Sequence, residues 1–290
     1  MIIAVASGKG GTGKTTVATS LAKALDKTSK PVTFLDCDVE APNAHLFLKP
    51  VFDQMRHVDM LIPQVDEALC TGCGRCAEVC EFHAIVVLGG KPLIFSELCH
   101  GCGSCTLECP EEAISEIPQT LGILESGGAS TQIKFARGLL NIGEPMAVPV
   151  ISQLKKWKTP EPKKITIIDS SPGTSCPVVE SMRGADFVIL VTEPTPFGLH
   201  DLKLAVRLTE ELSIPAGVIV NRDGVGDTKV DDYCQEADLP ILMRIPLERK
   251  IGAGIAEGQP LTEIYPEYGN RFIQMFQQIE EILTKKEAAR

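Results

Sequence analysis

Residues 8–16 read Gly8-Lys9-Gly10-Gly11-Thr12-Gly13-Lys14-Thr15-Thr16, and the chain enters them directly from the apolar run Ile2-Ile3-Ala4-Val5-Ala6. This fits G-x-x-x-x-G-K-[ST], with Gly8, Gly13, Lys14 and Thr15 in the fixed places. Glycines let the backbone curl so that successive N–H groups point inward at phosphate oxygens, and a following helix adds the positive end of its dipole. Lys14 can reach the β- and γ-phosphates, and the Thr15 hydroxyl can sit on Mg²⁺. Gly10, Gly11, Thr12 and Thr16 complete the cradle. A glycine-rich turn with an incidental lysine would need no particular flanks. Here a buried-strand pattern precedes the loop, and Thr16 to Leu25 reads as a helix after it.

Strand–loop–helix order implies an α/β fold, and the rest of the chain repeats it. Pro31 to Asp38 reads as a second buried strand ending in two acids, and Ile165 to Asp169 as another strand, followed by a Pro172-Gly173 turn. Strands are also expected at Ile123 to Gly128, Phe187 to Thr192, Ala216 to Arg222 and Pro240 to Pro246. Helices are expected around Ile151 to Trp157 and from Leu199 to Leu212, with a surface loop from Lys155 to Lys164. The predicted fold is a doubly wound, mostly parallel sheet with ligand at the carboxyl ends of the strands.

Between about Val65 and Ile117 the character changes. Eight cysteines fall in two copies of one spacing, Cys70-x2-Cys73-x2-Cys76-x3-Cys80 and Cys99-x2-Cys102-x2-Cys105-x3-Cys109-Pro110. The pattern resembles the bacterial two-cluster ferredoxins, in which the fourth cysteine of each run serves the other cluster. The resemblance implies one [4Fe–4S] cluster on Cys70, Cys73, Cys76 and Cys109, and a second on Cys99, Cys102, Cys105 and Cys80. Zinc is the rival metal, but its sites favour two separated C-x2-C pairs over three cysteines followed closely by a fourth. The chain is thus expected to carry a small α+β ferredoxin-type domain at residues 63–118, inserted in an α/β domain of residues 1–62 and 119–290.

Composition narrows the setting. With 290 residues, 44% hydrophobic and 23% charged, the chain can build a large core plus something small. A net charge of −10, without any Lys/Arg run, argues against a nucleic-acid surface. No apolar run approaches the roughly 20 residues of a membrane span, and no signal-peptide pattern precedes the first strand, so a cytoplasmic protein is expected. Eleven cysteines in a reducing compartment point to metal rather than disulfides.

The second lysine of the loop, Lys9, makes K-G-G-x-G-K-T-T, a deviant form of the phosphate loop. On this motif the chain resembles the MinD/ParA/Mrp ATPases, which are related to the nitrogenase iron protein. The resemblance implies ATP and Mg²⁺ as ligands and slow, partner-stimulated hydrolysis. It implies a nucleotide-dependent homodimer, or a heterodimer with a paralogous ATPase, in which Lys9 reaches the partner's phosphates. It makes Asp36, Asp38, Pro42 and Asn43 the first switch segment, with Asp38 acting on the attacking water and Asp36 equally readable as a cap or turn former. Asp169 would hold Mg²⁺ through a water, the Gly173 N–H would meet the γ-phosphate, Asn221 would read the adenine edge, and Ile245-Pro246 would lie near the base.

Two features of relatives are weighed against plainer readings. MinD-like proteins grip membrane with a terminal amphipathic helix, but the stripe Phe272, Met275, Phe276, Ile279, Ile282, Leu283 is expected to pack on the sheet. The nitrogenase iron protein holds a cluster on its dimer axis through a cysteine placed like Cys176. Glu125-Ser126-Gly127-Gly128 resembles that protein's turn, yet Phe135-Ala136-Arg137-Gly138 stands where its second cysteine would be, so a third cluster is not expected. Cys37 lies between the switch acids, and Cys234 reads as a small buried residue.

The expected function is an ATPase that couples nucleotide state to electron transfer with a redox partner. Two alternatives stay open. One is an Mrp-like carrier that delivers iron–sulfur clusters to an acceptor protein. The other is a MinD/ParA-like positioning or scaffolding ATPase with structural or sensory clusters.

Overall fold

The computed structural model describes residues 1–28, 30–158 and 164–288. Strands β1 (Ile2–Ala6) and β2 (Val32–Asp36) are short, largely apolar and buried on both faces, as parallel strands covered by helices must be. In β1, Ile3 and Val5 face one core, while Ala4 and Ala6 face the other. Helix α1 (Lys14–Asp26) buries Val17, Leu21 and Leu25 along one stripe. The short helix α2 (His45–Leu48) then leads into β3 (Val51–Val65).

Next comes a small module with α3 (Arg75–Glu78), β4 (Ile85–Leu88), β5 (Lys91–Ile94) and α4 (Ser104–Leu107). The chain returns along β6 (Ile114–Gly128) and turns into β7 (Ile133–Leu140), α5 (Ala147–Trp157) and β8 (Ile165–Asp169). Alternation continues through α6 (Cys176–Met182), β9 (Phe187–Thr192), α7 (Pro196–Glu211), β10 (Ala216–Asp223), α8 (Lys229–Glu236) and β11 (Ile241–Pro246). Three helices follow: α9 (Arg249–Ala256), α10 (Leu261–Ile264) and α11 (Tyr268–Ala288).

Nine strands form one sheet in the order β11-β10-β9-β1-β8-β2-β7-β6-β3, while β4 and β5 pair separately. Strands β11 to β7 run parallel, whereas β6 is antiparallel to both β7 and β3. The sheet carboxyl ends of β1, β2 and β8 meet at Ala6, Asp36 and Asp169, which gathers the loop and both acids at one edge.

The ribbon β3–β6 was not legible in the sequence. Both strands have 15 residues, and the pair continues past the sheet edge to Val65 and Ile114, where the cysteine module hangs. The expected boundaries at 62 and 119 therefore fall inside strands. Most of β3 is exposed, and burial alternates only over the short stretch His57 to Ile62; pairing along its whole length defines it. The ribbon is fastened to the body at its middle. Thr120 Oγ1 donates to Asp59 Oδ1 at 2.6 Å, and Asn141 Nδ2 donates to the Thr120 carbonyl at 2.8 Å.

Other differences from expectation are local. Helix α7 begins at Pro196 rather than Leu199, because Thr195 caps it by accepting the Gly198 N–H at 3.0 Å and Pro suits the first turn. Helix α5 reaches Trp157, so Lys155 is helical; its ammonium donates to the Ser181 and Arg183 carbonyls at 3.1 and 2.7 Å, tying α5 to α6. Residues 159–163 of the expected loop lie outside the described residues.

Helix α11 packs on α1, with Phe272, Met275, Phe276 and Ile279 buried in the same core, so its stripe is core. Phe272→Ala is expected to cost about 3–5 kcal/mol of stability. Denaturant unfolding checks this. Among the described residues no helix is long and apolar enough to cross a membrane.

Candidate nucleotide cleft and cysteine cavities

Helix α1 starts at Lys14 with Gly13 as its cap residue, and no side chain caps it, so its first N–H groups are open to an anion. Gly13 adopts φ 100°, a backbone that side chains strain to reach. Gly8 backs onto the Asp201 carbonyl of α7 so closely that a Cβ would sit 2.3 Å from it. The loop closes one end of a cleft of about 780 Å³. Gly10, Gly11, Gly13, Lys14, Thr15 and Thr16 line that end, with Asp38 and Asn43 beside them. Asn221 and Pro246 line the wall that leads away from the loop, along with Leu247 and Ile251. A cleft of this volume suits a small organic ligand.

Acids converge on the loop. Asp36 and Asp169 are buried at adjacent strand ends. Asp36 is occupied structurally: its carboxylate accepts the Ala44 N–H at 3.0 Å and the Asp38 N–H at 3.3 Å, pinning the turn that presents Asp38. Burial, with Asp169 beside it, raises its carboxyl well above the usual range. Asp169 differs, because neither carboxylate oxygen reaches a hydrogen-bond partner. Burial raises it to about 7, while the neighbouring Thr15 hydroxyl and the Lys14 ammonium pull it down, although neither meets hydrogen-bond geometry with it. A buried carboxylate without partners, next to a loop threonine, is a donor set that fits Mg²⁺. Burial lowers the Lys14 ammonium, with Asp169 and Asp38 opposing. Asp38 is raised by burial and lowered by Lys14.

Several expected residues have hydrogen bonds of their own here. Asn221 Nδ2 donates to the Thr12 carbonyl at 2.7 Å, and its Oδ1 accepts the Arg222 N–H at 2.9 Å, so the amide braces the loop from the cleft wall. The Gly173 N–H donates to the Ser7 carbonyl at 3.0 Å. Lys9 is drawn to Glu193, its Nζ lying 3.3 Å from Oε2. Glu193 and Arg222 are cleft residues that sequence reasoning missed. The signal was present, since Glu193 follows the end of β9 as Asp169 ends β8.

In the cysteine module the two runs interlock. Cys70, Cys73, Cys76 and Cys109 line one cavity at the tip of the ribbon, beside Ile114. Cys80, Cys99, Cys102 and Cys105 line another along the ribbon's side, beside Leu61, Pro63 and Glu116. Each cavity thus takes three cysteines from one run and the last from the other. The module's buried apolar cluster is small, made of Cys76, Ile85, Cys105 and Ile114. Among the described residues, no three His, Cys, Asp or Glu side chains close around a single-ion position. Cys176 is exposed at the start of α6 and lines neither cavity, while Cys37 and Cys234 are buried.

Comparison with known proteins agrees with a nucleotide-binding α/β domain. The CobQ/CobB/MinD/ParA nucleotide binding domain matches residues 3–261. An uncharacterized protein of Methanocaldococcus jannaschii is 33% identical over 242 residues, 79% of this chain and 83% of that one. A protein named iron-sulfur cluster carrier protein in Aquifex aeolicus is 24% identical over 98% of this chain and 68% of its own length. Among solved structures, the septum site-determining protein MinD of Pyrococcus horikoshii, complexed with Mg-ADP, is similar with a TM-score of 0.58. It is 21% identical, and the match covers 97% of this chain and 96% of that one. The similarity to MinD shows the fold, an α/β nucleotide-binding architecture with a mostly parallel sheet. The chain belongs to the CobQ/CobB/MinD/ParA nucleotide-binding family.

Proposed function

We propose that this chain is a MgATP-hydrolysing iron–sulfur protein whose nucleotide state governs an exchange with a partner protein. The observation that carries the reading is the sorting of eight cysteines into two four-thiol cavities, in a module that one continuous ribbon carries on the edge of the sheet holding the nucleotide cleft. Four thiolates around a cavity suit a [4Fe–4S] cubane with one iron per thiolate, and the C-x2-C-x2-C-x3-C runs favour it over a four-cysteine zinc site, which usually pairs two separated C-x2-C. When bound, each cluster supplies one-electron redox chemistry at a potential set by its surroundings.

At the cleft, Lys14 and the loop N–H groups hold the phosphates, Thr15 and Asp169 hold Mg²⁺, Lys9 adds positive charge from a second subunit, and Asp38 orients the attacking water. The module carries nine Asp/Glu against two Lys/Arg in residues 63–118. A docking partner therefore has to present cations, and its association has to weaken with salt.

What is exchanged has two forms. Relatives named iron-sulfur cluster carrier proteins support delivery of clusters to an acceptor. The interlocked cavities favour clusters that stay while electrons move, because release would require both cysteine runs to part. One anaerobic experiment separates them. The reconstituted protein is mixed with an apo-acceptor or an iron chelator, with and without MgATP, and its clusters are titrated by EPR. MgATP-dependent loss of iron to the acceptor establishes the carrier. Full retention of iron, with a potential shift on the order of 59 mV for a tenfold change in ATP affinity, establishes the electron carrier. Retention without any nucleotide response sinks cluster delivery and direct coupling within the protein, and leaves a gated docking step or a scaffolding ATPase.

Metal uptake at Asp169 is expected to be proton-linked. With the carboxyl raised to about 7, Mg²⁺ has to displace a proton below that pH, so its affinity rises with pH up to about 7 and then levels off. Without metal the sign for stability is opposite. The raised carboxyl favours the folded chain at low pH, and this contribution is lost as pH rises through about 7. Calorimetric Mg²⁺ titration in buffers of different ionisation enthalpy counts the protons.

A further inference from the structure

Glu193 lies just beyond β9 with its side chain only 8% exposed, and each of its oxygens meets a different cation. Oε2 is 3.3 Å from Lys9 Nζ, and Oε1 is 2.7 Å from Arg222 Nη1. The two cations are held differently. Arg222 has a left-handed backbone, φ 54°, beside a register shift at the end of β10. Its Nη2 also donates to the Gly11 carbonyl at 3.3 Å, and the preceding Asn221 braces Thr12. Both side chains are partly exposed, 33% for Lys9 and 49% for Arg222, so the difference lies in their bonds: Lys9 is a flexible point charge without Arg222's second anchor on the loop backbone. Its only recorded side-chain partner among the described residues is Glu193.

We infer that Glu193 is a positioning residue that latches Lys9 within its own subunit, with Arg222 as the fixed counter-cation that lets Lys9 leave. This rests on the reading that Lys9 serves the phosphates of a second subunit. A nearly buried carboxylate stripped of its only cation would be a stranded charge, which is strongly destabilising. Because Arg222 keeps one oxygen paired, the departure of Lys9 strands nothing. The exchange then depends on whether the incoming phosphates attract Lys9 more strongly than Glu193 does. Nucleotide in a second subunit offers several negative charges, whereas an empty one offers none. The latch therefore withholds the cation until a loaded partner arrives.

The two sides of the latch give opposite signs. Glu193→Gln keeps the side chain's size and an acceptor for Arg222 while removing the charge that holds Lys9. It is expected to shift MgATP-dependent self-association to about tenfold lower protein concentration, the effect of losing roughly 1.4 kcal/mol. Arg222→Gln leaves Glu193 with Lys9 alone, so the midpoint should move to higher concentration. Sedimentation of both variants, alone and combined with Lys9→Ala, reads the midpoints, and a fluorescent ATP analogue reads nucleotide affinity separately.

Opposite shifts that both vanish in the Lys9→Ala background establish the latch. Equal shifts in that background, shifts of the same sign, or no shift overturn it, because a merely structural Glu193 would act without regard to Lys9. If Glu193→Gln does not fold, the direction of the Arg222→Gln shift, with Lys9 in place, decides alone: a shift to higher concentration supports the latch, and a shift to lower concentration or none overturns it. Wild-type association unaffected by Lys9→Ala, or no MgATP-dependent association of the wild type, is a separate failure: it removes the reading of Lys9 itself, and the latch with it.

Discussion

Replacing Lys14 by methionine is expected to abolish ATP turnover, lowering it by at least about 10²–10³-fold, the usual loss when a preorganised charge donor is removed from a reacting centre. Methionine keeps the bulk of the side chain and removes only the ammonium, so the buried pocket stays filled. Lys14 is nearly buried between Asp169 and Asp38, and its charge opposes the burial that raises both carboxyls. Its loss therefore has a second signature. Asp169 should hold its proton to higher pH, and the pH dependence of Mg²⁺ uptake should move up with it. Single-turnover hydrolysis and Mg²⁺ calorimetry on one protein sample test both. Wild-type turnover in Lys14→Met would remove this loop from the chemistry.

The second large effect is on iron. Cys109→Ser is expected to remove the same cluster as Cys70→Ser, not the one lost in Cys105→Ser, and each variant should fall from about eight iron atoms per chain to about four. The grouping follows from which thiols share a cavity rather than which share a run. Iron analysis with EPR of each single variant reads it directly. If Cys109→Ser and Cys105→Ser lose one and the same cluster, the cavity grouping is wrong. Removing both clusters should unfold the module, since four small or medium side chains cannot offset the chain entropy of some fifty residues. The base of the ribbon should survive, because Val58, Leu121 and Leu124 belong to the main core. Hydrogen exchange would show protection lost beyond Val65 and Ile114 and kept at Val58 and Leu121.

Much of the candidate site was legible without coordinates, for a local reason. A phosphate loop needs glycine, lysine and threonine at offsets set by the backbone of a few consecutive residues, and three cysteines around one cubane need C-x2-C-x2-C for the same reason. Strand-end acids such as Asp169 are found because a buried parallel strand is a continuous apolar run, and its last polar residue stands out. The stripe of α11 was likewise legible from helical period, and its burial against α1 follows from it.

Tertiary structure decided what depends on distant residues. Strand β3 alternates in burial over too short a stretch to betray its length, and pairing with β6 carries it out to the cysteine module. The same holds for the loop's bracing. Asn221 and Thr12, or Glu193 and Lys9, are brought together only when β9 and β10 take their places in the sheet beside β1. Spacing along a chain specifies the groups that one turn of backbone can aim. Which buried carboxylate keeps a cation, and which stands without a partner beside the loop, is set by the packing of strands far apart in the sequence.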